Sequence, residues 1–313
     1  MRRWLGLVFL MSSLAGCAEP GHGLRAPNAV QPPECGPGDE AIALPVFRYG
    51  NGLATAAMMD GKKVLMLVDT GAASSTISEK TAAQLDPNYT RESHATAEVS
   101  GFGGDKEARK TSVAQMRLGK LNVGSLNLLI VPDQQFDGVL GLDVMAHFDV
   151  DFDLLHQHVT LHSKGLCAGE RPNWPNAVQE FPAVRPIVSR GLTAPFMLIG
   201  SQVDDEPMLA ILDSGALVGS VIHRRFASKL GVDANIRDTL PTDDVSGAGG
   251  VEKSPLYQFH QLIVGDEIFP NPKLHISTTR ELRFPLVLGA DYFRHHRIWF
   301  SFASNRIFVS RVP

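Results

Sequence analysis

The strongest constraint on the fold of this 313-residue chain is that it carries one ordered series of motifs twice. Val68-Asp69-Thr70-Gly71-Ala72 returns 144 residues later as Leu212-Asp213-Ser214-Gly215-Ala216, each copy following an apolar run, Val64 to Val68 and Met208 to Leu212. Val99-Ser100-Gly101-Phe102-Gly103-Gly104 is matched by Val245-Ser246-Gly247-Ala248-Gly249-Gly250 at an offset of 146. Gly138-Val139-Leu140-Gly141-Leu142-Asp143 is matched by Leu286-Val287-Leu288-Gly289-Ala290-Asp291 at an offset of 148. The offset grows by small steps, as short loop insertions between fixed elements would produce. Three ordered matches imply two related halves. Two such halves can bring their Asp-bearing loops together at a pseudo-twofold axis.

A lone Asp-Thr-Gly after a strand is ordinary turn chemistry, because Asp and Gly both favour turns. As a repeated set it points instead to paired carboxylates. Two carboxylates about 3 Å apart cannot both ionise cheaply, so the pair holds one proton over a wide pH range. The ionised member can take a proton from water, while the protonated member hydrogen-bonds a carbonyl oxygen on which charge develops. The apparent pKa values belong to the pair and to neither acid alone. The Gly-rich segments lack the Lys-Ser/Thr ending of a phosphate-binding loop and sit between strand-like runs, which suits hairpin tips.

On these residues the chain resembles the retropepsin-like aspartic proteases, in a form that joins two retropepsin-type lobes across roughly residues 41–313. The resemblance implies catalysis by Asp69 and Asp213, with Thr70, Gly71, Ser214 and Gly215 supporting the two loops. The hydroxyls of Thr70 and Ser214 would cross the interface and lock the loops together. It implies substrate-binding flap tips at Gly101, Phe102, Gly103 and Gly104 and at Gly247, Ala248, Gly249 and Gly250. Pepsin-like enzymes also have two lobes but typically one flap, so two flap-like segments favour the retropepsin side. Neither a metal, a cofactor nor a nucleophilic side chain is required.

The chain also departs from the family pattern. Retroviral members commonly carry an acidic residue shortly after the motif and an Arg after the bracing Gly. Here those stretches read Ala73-Ser74 and Leu217-Val218, then Leu142 and Ala290, so that ion pair is absent. Asp143 and Asp291 read as N-caps of short helices over 144–148 and 292–295. Ala72 and Ala216 stand where pepsin-like enzymes often carry a hydroxyl. A dyad without that donor is expected to titrate higher than pepsin's and to work at weakly acidic to near-neutral pH.

The N-terminus reads as an export signal. Arg2 and Arg3 precede an apolar stretch, Trp4 to Met11, that is too short to span a bilayer. Leu14-Ala15-Gly16-Cys17 resembles a bacterial lipobox, which implies cleavage before Cys17 and lipidation of that residue. Ala18 follows in place of the Asp of inner-membrane retention, so the expected location is the outer membrane, facing the periplasm. Residues 1–16 are thus a signal peptide. Residues 17–40 form a Pro/Gly-rich tether that spans on the order of 25 to 30 Å if flexible. Once Cys17 is lipidated, Cys35 and Cys167 remain, to pair in an oxidising compartment or to persist as two free thiols.

Strand-like runs dominate the remainder, among them Leu126 to Val131, Phe196 to Ile199, Gln261 to Val264, Ile298 to Phe302 and Ile307 to Val309. Asp60-Gly61 and Gly265-Asp266 mark hairpins. The expected fold is mainly β: two closed β-barrel lobes, 41–165 and 187–313, with few short helices. Between them lies a linker, 166–186, whose glycines and prolines break regular elements. Net charge is −4 with no basic patch, which disfavours nucleic acid as a partner. His156, His158 and His162 would share a face on one strand as metal ligands do. The repeat instead aligns His156-Gln157-His158 with Ser304-Asn305-Arg306, an apparent hairpin turn. His295 and His296 read as surface or interface residues.

These observations favour a lipid-anchored aspartic endopeptidase acting on periplasmic or envelope polypeptides. A single chain suffices if its lobes close on each other. The rival is a peptide-binding envelope lipoprotein that keeps the cleft but is catalytically silent.

Overall fold

The computed structural model describes residues 41–90, 95–163, 171–189, 192–279 and 284–312. Cys17, Cys35 and Cys167, with the export signal and tether, lie outside these residues. The two halves repeat one strand plan. The first-lobe sheet runs in the order Val46–Tyr49, Gly52–Met59, Lys62–Val68, Gly138–Leu140, Thr76–Ser78, Leu121–Val131, Gly104–Leu118, Thr96–Gly101. Gly52–Met59 pairs additionally with Gly104–Leu118, setting Ala57 opposite Leu118, so this run of pairings returns on itself. The second-lobe sheet follows the same plan. There the long strand is interrupted at Phe259 and His260, giving Gly250–Gln258 and Gln261–Val264. Both expected hairpin turns are present, with positive φ at Asp60, Gly61 and Gly265.

A third sheet, not foreseen from the sequence, joins the halves. Its order is Ile42–Ala43, His158–Ser163, Phe148–Asp153, His296–Ser301, Arg306–Arg311, Val178–Pro182. At its centre one strand from each lobe pairs antiparallel, with Val150 opposite Phe300 and Phe152 opposite Ile298. Those residues face the main core, where Phe152 meets Phe293 of the other lobe edge-on at 5.1 Å. The alternate residues Asp149, Asp151 and Asp153 lie on the opposite face and are also buried. Each has its compensation. Arg297 grips Asp151 with Nε and Nη2, Ser301 and the Ala303 amide donate to Asp149, and His156 bonds Asp153.

The segment expected to be an irregular linker therefore includes a strand, Val178–Pro182, paired with Arg306–Arg311. Pro182 is tolerated because it ends an edge strand, where no partner needs its missing N–H. Just upstream, Trp174 covers the outer face of the sheet, packing on Val178, Trp299 and Phe308 and stacking 4.7 Å under the Arg297 guanidinium.

One histidine expectation, that for His296, is corrected here, and the other histidines are placed. His162 sits within a strand, buried and stacked on Trp299 at 4.4 Å. His296 is buried between Tyr292 and Glu267, accounting for both ring nitrogens, and is not a surface residue. His158 is the exposed first residue of its strand; His156 lies in the turn before it. Among the described residues no group of three or more His, Cys, Asp or Glu is placed to hold a metal.

Because Asp151 is buried and Arg297 is its bidentate partner, Arg297→Leu is expected to destabilise the protein by about 2–4 kcal/mol, below or near the cost of a fully buried broken pair because Arg297 is partly exposed. Urea denaturation of the variant beside wild type measures this. A change under about 0.5 kcal/mol would mean that the seam does not depend on the pair.

Candidate active site

Each Asp loop begins where an apolar strand ends. Lys62–Val68 and Glu206–Leu212 run parallel to the short strands Gly138–Leu140 and Leu286–Leu288, with Val68 beside Leu140 and Leu212 beside Leu288. The pairing carries one residue further, since Asp69 N–H donates to Leu140 O at 3.1 Å and Asp213 N–H to Leu288 O at 2.9 Å. Beyond the bracing Gly, Leu142 N–H donates to Ala72 O and Ala290 N–H to Ala216 O. The loop is thus fixed at both ends by backbone bonds, a geometry that side chains alone could not specify.

The two loops meet through a reciprocal lock. Thr70 Oγ1 donates to Leu212 O at 2.8 Å and accepts from Ser214 N–H at 3.0 Å. Ser214 Oγ donates to Val68 O at 2.9 Å and accepts from Thr70 N–H at 3.0 Å. Both hydroxyl residues are buried. The next residue must be Gly on both sides. A Cβ on Gly71 would lie 2.3 Å from the Asp213 carboxyl carbon, and one on Gly215 equally close to that of Asp69. Gly71 N–H and Gly215 N–H instead donate to Asp69 Oδ1 and Asp213 Oδ1, each at 2.8 Å. The lock brings the two carboxyl groups within hydrogen-bonding reach of each other.

Over the cleft stand two hairpins. Thr96–Gly101 pairs with Gly104–Leu118 and Thr242–Gly247 with Gly250–Gln258, each closed by a Gly–Gly pair around a two-residue turn. The tips touch. Gly249 N–H donates to Phe102 O at 3.0 Å, and a Cβ on Gly103, Gly247 or Gly249 would collide with the opposite hairpin. Each hairpin also reaches the other lobe: Gly103 N–H donates to Thr279 Oγ1 at 3.1 Å, and Gln135 Nε2 to Ser246 Oγ at 3.0 Å. Phe102 packs on a second-lobe patch of Leu198, Ile211, Ala216, Val221 and Val287.

A family model described as aspartyl protease matches this chain twice, over residues 55–144 and 199–292, so that each match contains one Asp loop and one hairpin tip. The chain belongs to the aspartyl protease family. Its two-lobe, two-flap arrangement is the retropepsin-like form. Among solved structures, a retropepsin-like aspartic protease from Rickettsia conorii is similar at 16% identity and a TM-score of 0.33, covering 39% of this chain and 90% of that one. No curated protein matches.

Within the aspartyl-protease loops, Asp143 and Asp291 are not helix caps. The helices are Leu142–Met145 and Ala290–Phe293; their N-caps are Gly141 and Gly289, without a side-chain cap. Asp143 falls inside the first turn and reaches sideways to Ser75, accepting from its hydroxyl at 2.6 Å and its N–H at 2.8 Å. Ser75 Oγ in turn accepts from Gly141 N–H. Asp291 receives the Ser220 hydroxyl at 2.7 Å, and Ser220 accepts from Gly289 N–H. This Ser–Asp brace joins the Asp loop to the segment beyond the bracing Gly. Its trace in the sequence is a Ser shortly after each motif and an Asp after each bracing Gly. Asn51 is a further cross-lobe contact without a motif, donating to Leu217 O at 2.9 Å.

Burial pushes the Asp69 carboxyl well above its ordinary value, and the neighbouring charge of Asp213 pushes it the same way. Asp213 is raised by burial too, but less, because hydrogen bonds from Asp69 and nearby backbone N–H groups favour its ionised form. The pair therefore keeps one proton, shared between the two carboxyls. The backbone N–H groups of Ala72 and Ala216 support the carboxylates that their side chains cannot reach.

This has a sign in stability. A carboxyl raised in the folded state favours folding below its unfolded value, near 3.8, and that contribution is lost as pH rises through the folded value. Asn mimics the neutral acid. Asp69→Asn is expected to unfold at the same temperature as wild type near pH 3 and at a higher one at neutral pH. Thermal unfolding of both proteins across that range tests it, and a less stable variant at pH 7 would contradict the assignment.

Proposed function

We propose that the chain is an aspartic endopeptidase that hydrolyses peptide bonds with water activated between Asp69 and Asp213. The observation that carries this reading is the Thr70–Ser214 lock, which holds two half-buried acids in contact at the floor of a cleft roofed by two hairpins. The ionised member of the pair takes a proton from the bound water as that water attacks the scissile carbonyl. The protonated member donates a hydrogen bond to the carbonyl oxygen as negative charge develops. Transfer of a proton to the leaving amine then breaks the C–N bond and returns the dyad to its starting state. An extended substrate backbone would bond to the flap edges as an added strand, a mode that selects polypeptides over small amides.

The compartment is part of the proposal. Arg2-Arg3, the apolar run from Trp4 and Leu14-Ala15-Gly16-Cys17 support an exported lipoprotein anchored through Cys17, with periplasmic or envelope polypeptides as substrates. No helix among the described residues is long and apolar enough to cross a membrane. Expressed in a Gram-negative host, the wild-type chain is expected in the membrane fraction and Cys17→Ser outside it; unchanged fractionation of Cys17→Ser would remove the anchor from the proposal.

The activity test exposes a mixed peptide library to the protein across a pH series, with Asp69→Asn and Asp213→Asn alongside. Cleavage is expected at weakly acidic to near-neutral pH and is expected to fall at least about 10³-fold in either variant, since each acid is needed in a different protonation state. Cleavage surviving both substitutions would assign it to another site. A rate confined to strongly acidic pH would contradict the expected titration.

A further inference from the structure

The two flaps are fastened by different chemistry, and the repeat shows where they diverged. At the offset of 146 shared with the flap motif, Lys106 corresponds to Glu252 and Asp133 to Thr279. Each of Lys106 and Glu252 stands two residues beyond the last flap glycine, Gly104 or Gly250. In the first lobe Lys106 Nζ bonds Asp133 Oδ2 at 3.1 Å and Pro132 O at 3.0 Å, and the Asp133 side chain is 85% exposed. That is a solvated ion pair of small energetic weight. In the second lobe both counterparts are buried, Glu252 at 9% and Thr279 at 7% exposure.

Hydrogen polarity gives the buried pair a direction. An ionised carboxylate only accepts. Glu252 Oε2 lies 2.5 Å from Thr279 Oγ1 and 3.1 Å from Thr279 N, and takes both protons. Thr278 Oγ1 adds a third donor at 3.3 Å. The single hydroxyl proton of Thr279 is thereby committed to Glu252, which leaves its lone pairs as acceptors. One of them receives Gly103 N–H, from the tip of the first lobe's flap, at 3.1 Å. A Thr hydroxyl without this partner could rotate its proton toward the flap amide and repel it. Glu252 Oε1 is buried and has no hydrogen-bond partner among the described residues, so no competing bond there draws the carboxylate away.

We propose that Glu252 is a positioning residue for the opposite lobe's flap: through Thr279 it fixes a hydroxyl as acceptor for Gly103 N–H and so latches the first flap shut across the cleft. The inference rests on the endopeptidase reading for its purpose, since a latched flap encloses substrate and excludes water, but not for its test. The latch acts on one flap only. The second flap is held from the first lobe by an exposed side chain, Gln135 on Ser246, so the first flap is the more firmly closed.

Amide hydrogen exchange on the full-length chain in detergent, without any peptide, reads the latch directly. Glu252→Leu and Thr279→Val are expected to speed exchange at Gly103 about three- to tenfold, the scale of one lost hydrogen bond to a flap-opening equilibrium. Amides of the central sheet, Phe148–Asp153 and His296–Ser301, are expected to be unchanged. Thr279→Ser, which restores the hydroxyl, is expected to return Gly103 to the wild-type rate. Glu252→Gln, whose amide oxygen still accepts, is expected to stay near it. An unchanged Gly103 rate in Glu252→Leu, or Thr279→Ser exchanging as fast as Thr279→Val, would overturn the proposal. Should Glu252→Leu exchange faster throughout, the contrast between Glu252→Gln and Thr279→Val decides. Failure of every peptide to be cleaved would overturn the endopeptidase reading and leave this result standing.

Discussion

Four hydrogen bonds between Thr70 and Ser214 and the opposite backbones are the constraint on which the rest of the structure depends. Each hydroxyl spends its one proton on a carbonyl of the other lobe and accepts an N–H from that lobe, so neither can be replaced by a side chain that only donates or only accepts. Singly, such bonds contribute about 1 kcal/mol net. Their consequence is geometric. They bring two acids into contact where, if both were ionised, repulsion at an effective dielectric near 20 would be on the order of 4 kcal/mol. The proton retained by the pair removes most of that cost, and the shared core removes the option of moving apart. The chemistry proposed for the dyad follows from a strain that the lock imposes and a proton relieves.

What was legible in the sequence was whatever the two halves kept in common. The Asp loops, the bracing strands and the flap glycines all repeat with the same residue types, because both copies meet the same steric demand. Gly71 and Gly215 sit against carboxyls, and the flap glycines against each other. The central sheet was hidden for the opposite reason. Phe148-Asp149-Val150-Asp151-Phe152-Asp153 alternates like a strand with one solvated face, yet both faces are buried, made tolerable by Arg297 and Ser301, which are distant in sequence, and by His156 in the following turn. Val178–Pro182 was obscured by the prolines around it, since edge position, which excuses a proline, cannot be read locally. Asp143 misled because an acid before a short helix is usually a cap. Here it lies two positions past the N-cap Gly141 and finds Ser75, 68 residues away in sequence, instead.

The absent retroviral-type ion pair acquires a physical explanation from these same contacts. In an assembly of two separate chains, dyad formation depends on protomer concentration, and the interface must supply the whole association free energy. Here the lobes are covalently joined, so the second contact forms at an effective concentration set by the chain. The central sheet then adds a continuous apolar core across the junction. The polar brace can accordingly be local to each lobe, Ser75 with Asp143 and Ser220 with Asp291, where it shapes the loop and holds no partner.

Covalent linkage also frees the halves to differ where the substrate would lie. At matching positions the second lobe presents Leu198 and Ile211 to Phe102, while the first carries Ala54 and Leu67. The flap tips differ in the same sense, Phe102 against Ala248, and their supports differ again, a buried Glu252–Thr279 pair against an exposed Lys106–Asp133 pair. A symmetric dimer cannot make such changes on one side only, because every substitution appears twice. A fused repeat can, and these changes alter the flaps and what they pack on while leaving the dyad loops matched. Symmetry is retained at the two acids and relaxed at the flaps, where the proposed peptide substrate, which has a direction, would be gripped.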